Sequence, residues 1–401
     1  MKKRIITAMI LFFIMNVFNN FGHPVTPSFV RALHIPEVFF GIFYATMSLG
    51  LMFAAPIWGG FGDHGKNKLS IGLGLFIYAL AQLGFAFSHN PYLMVFFRFI
   101  AGIGIAAPMT LFVSLIISYS KENRVKNLAI LSALSTLGAS LGYQVGGLLG
   151  DSTWFQALIP TTSYENVFIV QFISMALLSL TVLLSVKELD SNGIVSNRRS
   201  PFSSLSKIKT LDFRLIIFLL SLTLITMGST NLSKYIDVYF DDLGYSTTTL
   251  GNFVMVTGIV SVITAVFIVP FVSKFKRQLA FIVILQVLSA LIVFFVFRAN
   301  NFILVIYTVY NIYVVIKAIY LPLEQNYISK HADKDSIGTI TGIRQSFVSI
   351  GNVIGPLFGG IVYSIKPLVL FDSSAILFIL GATLLVLILK SDNKKIEVES
   401  L

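Results

Sequence analysis

The chain has no cysteine. That excludes disulfide frameworks, thiolate metal sites and thiol nucleophiles together, and leaves the redox compartment open. Charge is also scarce, at 12% of residues, about half the usual share in soluble domains. With 56% hydrophobic residues and a mean hydropathy of +0.85, the chain cannot clothe a water-exposed surface in charge. The few histidines, His23, His34, His64, His89 and His331, show no metal-ligand spacing. No nucleotide loop or nucleophile motif occurs either, so nothing points to an enzyme, a metal or a cofactor.

What is present is a succession of apolar runs of about 20 residues, the length that crosses a hydrocarbon core of roughly 30 Å. Twelve can be read along the 401 residues, among them 4–30, 91–119, 127–149, 213–240, 247–272, 302–329, 337–364 and 369–390. The expected fold class is therefore an all-α membrane protein of twelve transmembrane helices. The first run follows Lys2, Lys3 and Arg4 as a secretory signal would. It lacks a small-residue cleavage site and is followed by another span, so it is expected to be retained.

The net charge of +11 forms no nucleic-acid patch. If the spans alternate from a cytoplasmic N-terminus, inner segments hold nearly all the Lys and Arg, and outer ones hold only Arg31, Arg298 and Lys366. This positive-inside bias predicts a multi-pass protein of the cell membrane with both termini cytoplasmic.

The chain is also duplicated. Lys121–Gly147 and Lys334–Gly360 align without a gap at an offset of 213 residues, and Gly138, Gly142, Gly146 and Gly147 fall on Gly351, Gly355, Gly359 and Gly360. Span five thus corresponds to span eleven. The predicted organisation is a six-helix half over 1–187, a serine-rich basic cytoplasmic linker over 188–212, a second six-helix half over 213–390 and a cytoplasmic tail over 391–401. Such 6+6 repeats suit a transporter with its site between two similar halves. Glycines four apart line one helix face, where a neighbour can approach at backbone distance, and Pro356 frees a carbonyl there.

Three motifs now carry a resemblance over essentially the whole chain. GGFGDHGKNK between spans two and three has Gly59 and Asp63 followed by the basic Lys66 and Lys68. RFIAGIGIAA in span four has Arg98, Gly102 and Gly104. GYQVGG in span five ends on a glycine pair. Together they resemble the major facilitator superfamily, and within it the twelve-span drug:proton antiporters. His64 stands where that loop usually has arginine. Tyr143 stands where the antiporter motif has proline, and the version with Pro356 lies in span eleven. The resemblance implies a gate at Gly59, Asp63, Lys66 and Lys68, with the Asp63 carboxylate at the positive end of helix eleven. It also implies a cavity lined by spans one, four, seven and ten.

The polar residues at membrane depth concentrate in those same four spans. Asn16, Asn19, Asn20 and His23 share a side of span one. Arg98 lies in span four, and Asn231, Lys234 and Asp237 lie in span seven. In span ten, Tyr310, Tyr313, Lys317, Tyr320 and Glu324 fall on one face by their three- and four-residue spacing, and Asn311 stands opposite Arg98 in the repeat. Ionisable groups inside a span are functional candidates by default. Glu324 is the expected proton carrier, with Asp237 as its rival and Arg344 as a partner. The alternatives are a standing Glu324–Arg344 ion pair, an i,i+3 pair of Lys234 with Asp237, and an Arg98 that snorkels to the headgroups.

The reading is a secondary active transporter, a proton-coupled exporter of amphipathic small molecules. Protons are the coupling ion, the bilayer the medium, a monomer the expected state, and no nucleic acid is involved. The alternative is a permease importing a sugar or other metabolite.

Overall fold

The computed structural model describes residues 2–120, 124–158, 164–186, 212–272, 274–275, 277–330 and 337–399. The linker at 187–211 lies outside the described residues, as does the Asp63 side chain. Every regular element among the described residues is helical. Span one gives α1 (Lys2–Asn19) and α2 (Thr26–Ala32), and spans two to six give α3 (Val38–Asp63), α4 (Asn67–Phe87), α5 (Pro91–Tyr119), α6 (Arg124–Asp151) and α8 (Glu165–Ser185), with a short α7 (Thr153–Leu158) before the last. The second repeat gives α9 (Phe213–Asp242), α10 (Thr247–Ile263) running through a π turn into α11 (Val269–Val272), α12 (Gln278–Val296), α13 (Phe302–Tyr307), α14 (Val309–Lys330), α15 (Ile337–Ile365) and α16 (Pro367–Glu399).

Eleven described helices are long and apolar enough to cross a membrane. Helix α1 is not among these eleven: it has 18 residues and opens on three consecutive cations, Lys2, Lys3 and Arg4. Local chemistry explains several boundaries. Asn90 accepts hydrogen bonds from the N–H groups of Tyr92 and Leu93 at 2.9 and 3.3 Å, with Pro91 at the first helical position, so α5 starts there. Asn301 caps α13 in the same way, accepting from the Leu304 N–H at 3.1 Å. The turn from α3 to α4 needs Gly65, at φ +78°.

Span one is not one continuous helix. Between Asn19 and Thr26 the chain turns, and Pro24 and Pro27 cannot donate to a preceding turn. The carbonyls released at the break are recaptured: Gln171 donates to both Phe18 O and Asn19 O at 2.9 Å, and the Tyr78 hydroxyl to Asn19 O at 3.1 Å. A broken helix is tolerated at membrane depth when neighbours satisfy its backbone in this way.

The chain divides into two compact units, Met1–Asn197 with Ile236–Ile259, and Arg198–Tyr235 with Val260–Leu401. In the first, glycines set the helix spacing. A Cβ on Gly138, Gly142 or Gly146 would lie 2.8, 2.2 or 2.1 Å from the carbonyl oxygens of Phe13, Val17 or Phe21, so α6 lies directly on the backbone of span one. One on Gly147 would meet Thr247 O of α10 at 2.3 Å. Gly102 and Gly104 let α5 touch α3 and α4 at once, facing Met47 O at 2.1 Å and Tyr78 N at 2.6 Å. The second unit repeats the arrangement: Gly351, Gly355 and Gly359 of α15 face Thr226, Met227 and Asn231 of α9, and Tyr235 donates to Pro356 O at 3.0 Å.

Candidate functional site

In the first unit, the buried polar groups gather around Asp237 and Arg98. Asp237 is wholly buried, and its Oδ2 accepts from the Tyr143 hydroxyl at 2.9 Å. Tyr143 takes the place of a motif proline and supplies a donor to the carboxylate. Its ring stacks on His23 at 5.4 Å, and His23 stacks on Tyr44 at 6.0 Å, giving a near-parallel aromatic file. Arg98 is 5% exposed. Its guanidinium lies 3.8 Å above the Phe85 ring and donates to Thr26 Oγ1 at 3.4 Å, and its Nε has no acceptor. Among the described residues Arg98 forms no ion pair.

The asparagines of span one serve the backbone. Asn16 donates to Phe12 O and Asn20 to Asn16 O, both at 2.8 Å, while Asn16 Oδ1 accepts from Ser135 at 3.0 Å. Asn19 Oδ1 is buried without a partner.

Sequence reasoning did not assemble the clamp at the other end of this unit. Arg31 of α2 donates to Asp241 at 2.5 Å and also engages Asp242 and Glu37, and Ser28 donates to Asp241. Nearby, Asp151 at the end of α6 accepts from Thr247 Oγ1 and from the Thr248 N–H, both at 2.8 Å, and so caps the start of α10. Apart from Arg31–Glu37, the partners are about a hundred to two hundred residues apart and leave no local pattern.

In the second unit, Glu324 is fully buried and held by Arg344 in a two-pronged pair, Nε to Oε1 at 2.6 Å and Nη2 to Oε2 at 2.7 Å. Of the span-ten stripe, Tyr310, Tyr313 and Tyr320 are buried too. Tyr310 and Tyr313 lie 5.2 Å apart and pack on Phe297 and Phe378. Lys317 alone on that face is exposed. Asn311 donates to Tyr307 O at 2.9 Å. Asn231 is buried against Gly359, with neither side-chain atom partnered. Lys234 is half-buried. At the turn after α3, Lys66 is exposed and Lys68 half-buried, Gly59 has room for a side chain, and His64 Nδ1 is 2.6 Å from Gly60 O.

A broken first helix, glycine-seated α6 and α15, and ionisable groups inside helices long enough to span a bilayer are features of a transporter. The model of the Major Facilitator Superfamily matches residues 6–356. The chain belongs to that superfamily. Among curated relatives, Multidrug resistance protein 1 of Bacillus subtilis is 24% identical over 376 residues, covering 91% of each chain. Quinolone resistance protein NorA of Staphylococcus aureus is 24% identical over 347 residues, covering 85% of each. A solved structure of the nucleoside transporter NupG, in a mutant form, superposes with a TM-score of 0.74 at 14% identity, over 96% of this chain and 99% of that one. This superfamily member is thus an all-α, multi-pass membrane transporter.

Proposed function

We propose that the chain exports amphipathic small molecules by alternating access, driven by inward proton flow, and that Asp237 carries the proton. The observation behind this is the buried Asp237–Tyr143 contact. A neutral hydroxyl donor thus meets a wholly buried carboxylate inside a span, whereas Glu324 is tied to Arg344 by two charge-assisted hydrogen bonds. Protonating Glu324 in this conformation would sacrifice that pair; protonating Asp237 leaves its tyrosine contact able to re-form. Relatives named for drug and quinolone resistance, matched over most of their length, support export. One proton moving down 100 mV yields about 2.3 kcal/mol, enough for a roughly fifty-fold gradient of a neutral substrate. The chain then works as a transporter and not an enzyme, with its termini in the cytoplasm.

The test is efflux of fluorescent dyes from cells expressing the protein, with and without a proton uncoupler. Uncoupler-sensitive efflux that Asp237→Asn abolishes and Glu324→Gln only slows is the expected result. Dye accumulation inside intact cells that the uncoupler abolishes would reverse the direction.

A further inference from the structure

The ionisable groups inside the spans are unbalanced in sign. Away from the span ends the sequence has four cations, Arg98, Lys234, Lys317 and Arg344, and two carboxylates, Asp237 and Glu324. Arg344 and Glu324 neutralise each other at 2.6 Å. Lys317 is then left without a carboxylate partner among the described residues, although a cation at membrane depth costs at least about 2.5 to 3.5 kcal/mol. A surplus of this kind persists where something negative arrives to meet it.

Lys317 is where the surplus is most accessible. It lies eight residues into α14, far from either end of span ten, so its ammonium cannot readily reach the headgroups. Its side chain is exposed while the tyrosines on the same face are buried. Ile312, 54% exposed, lies five residues away, about 140° around the helix. The helix thus shows an apolar open face on one side and a cationic one on the other, which fits lipid on the first and an aqueous path on the second. Among the described residues no hydrogen bond or ion pair reaches Lys317, and Lys234 of α9 lies within electrostatic range of it. One turn before Lys317, the Tyr313 hydroxyl is buried without a partner and is available as a neutral donor. In the first unit Arg98, described by itself, likewise has no counter-ion.

We propose that the preferred substrates are organic anions: amphipathic molecules bearing a carboxylate or similar acid group, which Lys317 engages with Lys234 beside it. This rests on the efflux reading and names the chemical class it moves. A cationic substrate would find two ammonium groups and gain nothing from them. An acid gains charge-assisted hydrogen bonds, roughly twice as strong as neutral ones.

The experiment uses the full-length purified protein and three probes: a fluorescein-type carboxylate dye, its methyl ester and ethidium. Equilibrium binding is read by fluorescence anisotropy, and efflux of the same dyes is read in everted vesicles. Wild type should bind the acid at least tenfold more tightly than the ester, and ethidium more weakly still. Lys317→Met should collapse the acid-to-ester ratio by about tenfold, Lys317→Arg should restore it, and Lys317→Glu should invert the preference toward ethidium. If wild type binds ester or ethidium as well as acid, or Lys317→Met leaves the ratio unchanged, the inference is overturned. Acid-selective binding without uphill efflux would keep the ligand class and remove the export reading instead.

Discussion

At the scale of single residues, Tyr143 puts a hydroxyl where the resembling motif has a proline. The proline expected in span five would have contributed a kink; tyrosine contributes a hydroxyl to Asp237 at 2.9 Å. A hydrogen bond to a charged group is worth about 1.5 to 3 kcal/mol. Tyr143→Phe should therefore slow proton-coupled efflux by roughly tenfold or more while leaving abundance in the membrane near wild type, as measured by initial efflux rate and immunoblot. An unchanged rate would separate Tyr143 from coupling. The sequence ranks Glu324 ahead of Asp237 because it falls on the tyrosine stripe of span ten, and it carries no sign of the partners, far away in the chain, on which the choice depends. Tyr143 is 94 residues from Asp237, and no periodicity reports such a contact.

At the scale of elements, the glycine stripes were the most legible feature, since four-residue spacing is itself the geometry of a helix face. Their partners were not legible: α6 lies on span one and α15 on span seven, the same pairing in both repeats. The break in span one carried a readable signal, two prolines three apart at Pro24 and Pro27, yet apolar length masked it. The tyrosines of span ten were expected to line a cavity. Of these, Tyr310 and Tyr313 pack against the rings of Phe297 and Phe378.

Two predictions belong at this scale. Gly146→Val should sharply lower folded yield and thermal midpoint, because its Cβ would sit 2.1 Å from Phe21 O, and overpacking of backbone costs about 1 to 3 kcal/mol or more. Gly60→Ala, with nothing within 4 Å of the added carbon, should match wild type. Size-exclusion profiles and melting curves in detergent compare the two, and equal behaviour would refute the role of the stripe. Arg31→Gln removes the partner of Asp241, Asp242 and Glu37. It should raise hydrogen exchange at the last turn of α9, where Asp241 and Asp242 would lose the guanidinium they share with Glu37 before α3.

At the scale of the whole molecule, hydropathy and charge bias carried the fold, because the bilayer imposes span length and tolerates little else. The same bias predicts sidedness. The native chain lacks cysteine, so His89→Cys should be labelled by an impermeant maleimide in intact cells and Lys66→Cys only after permeabilisation. Labelling of Lys66→Cys from outside would overturn the orientation. Coupling to protons is the centre of the proposed function. Its most direct measurement is dye uptake into proteoliposomes with an acidic lumen, recorded together with lumenal pH. Wild type is predicted to accumulate dye against its gradient as protons leave the lumen. Asp237→Asn should only equilibrate dye across the membrane, and the uncoupler should reduce wild type to the same level. Uphill accumulation that persists without a proton gradient, or in Asp237→Asn, would contradict the account.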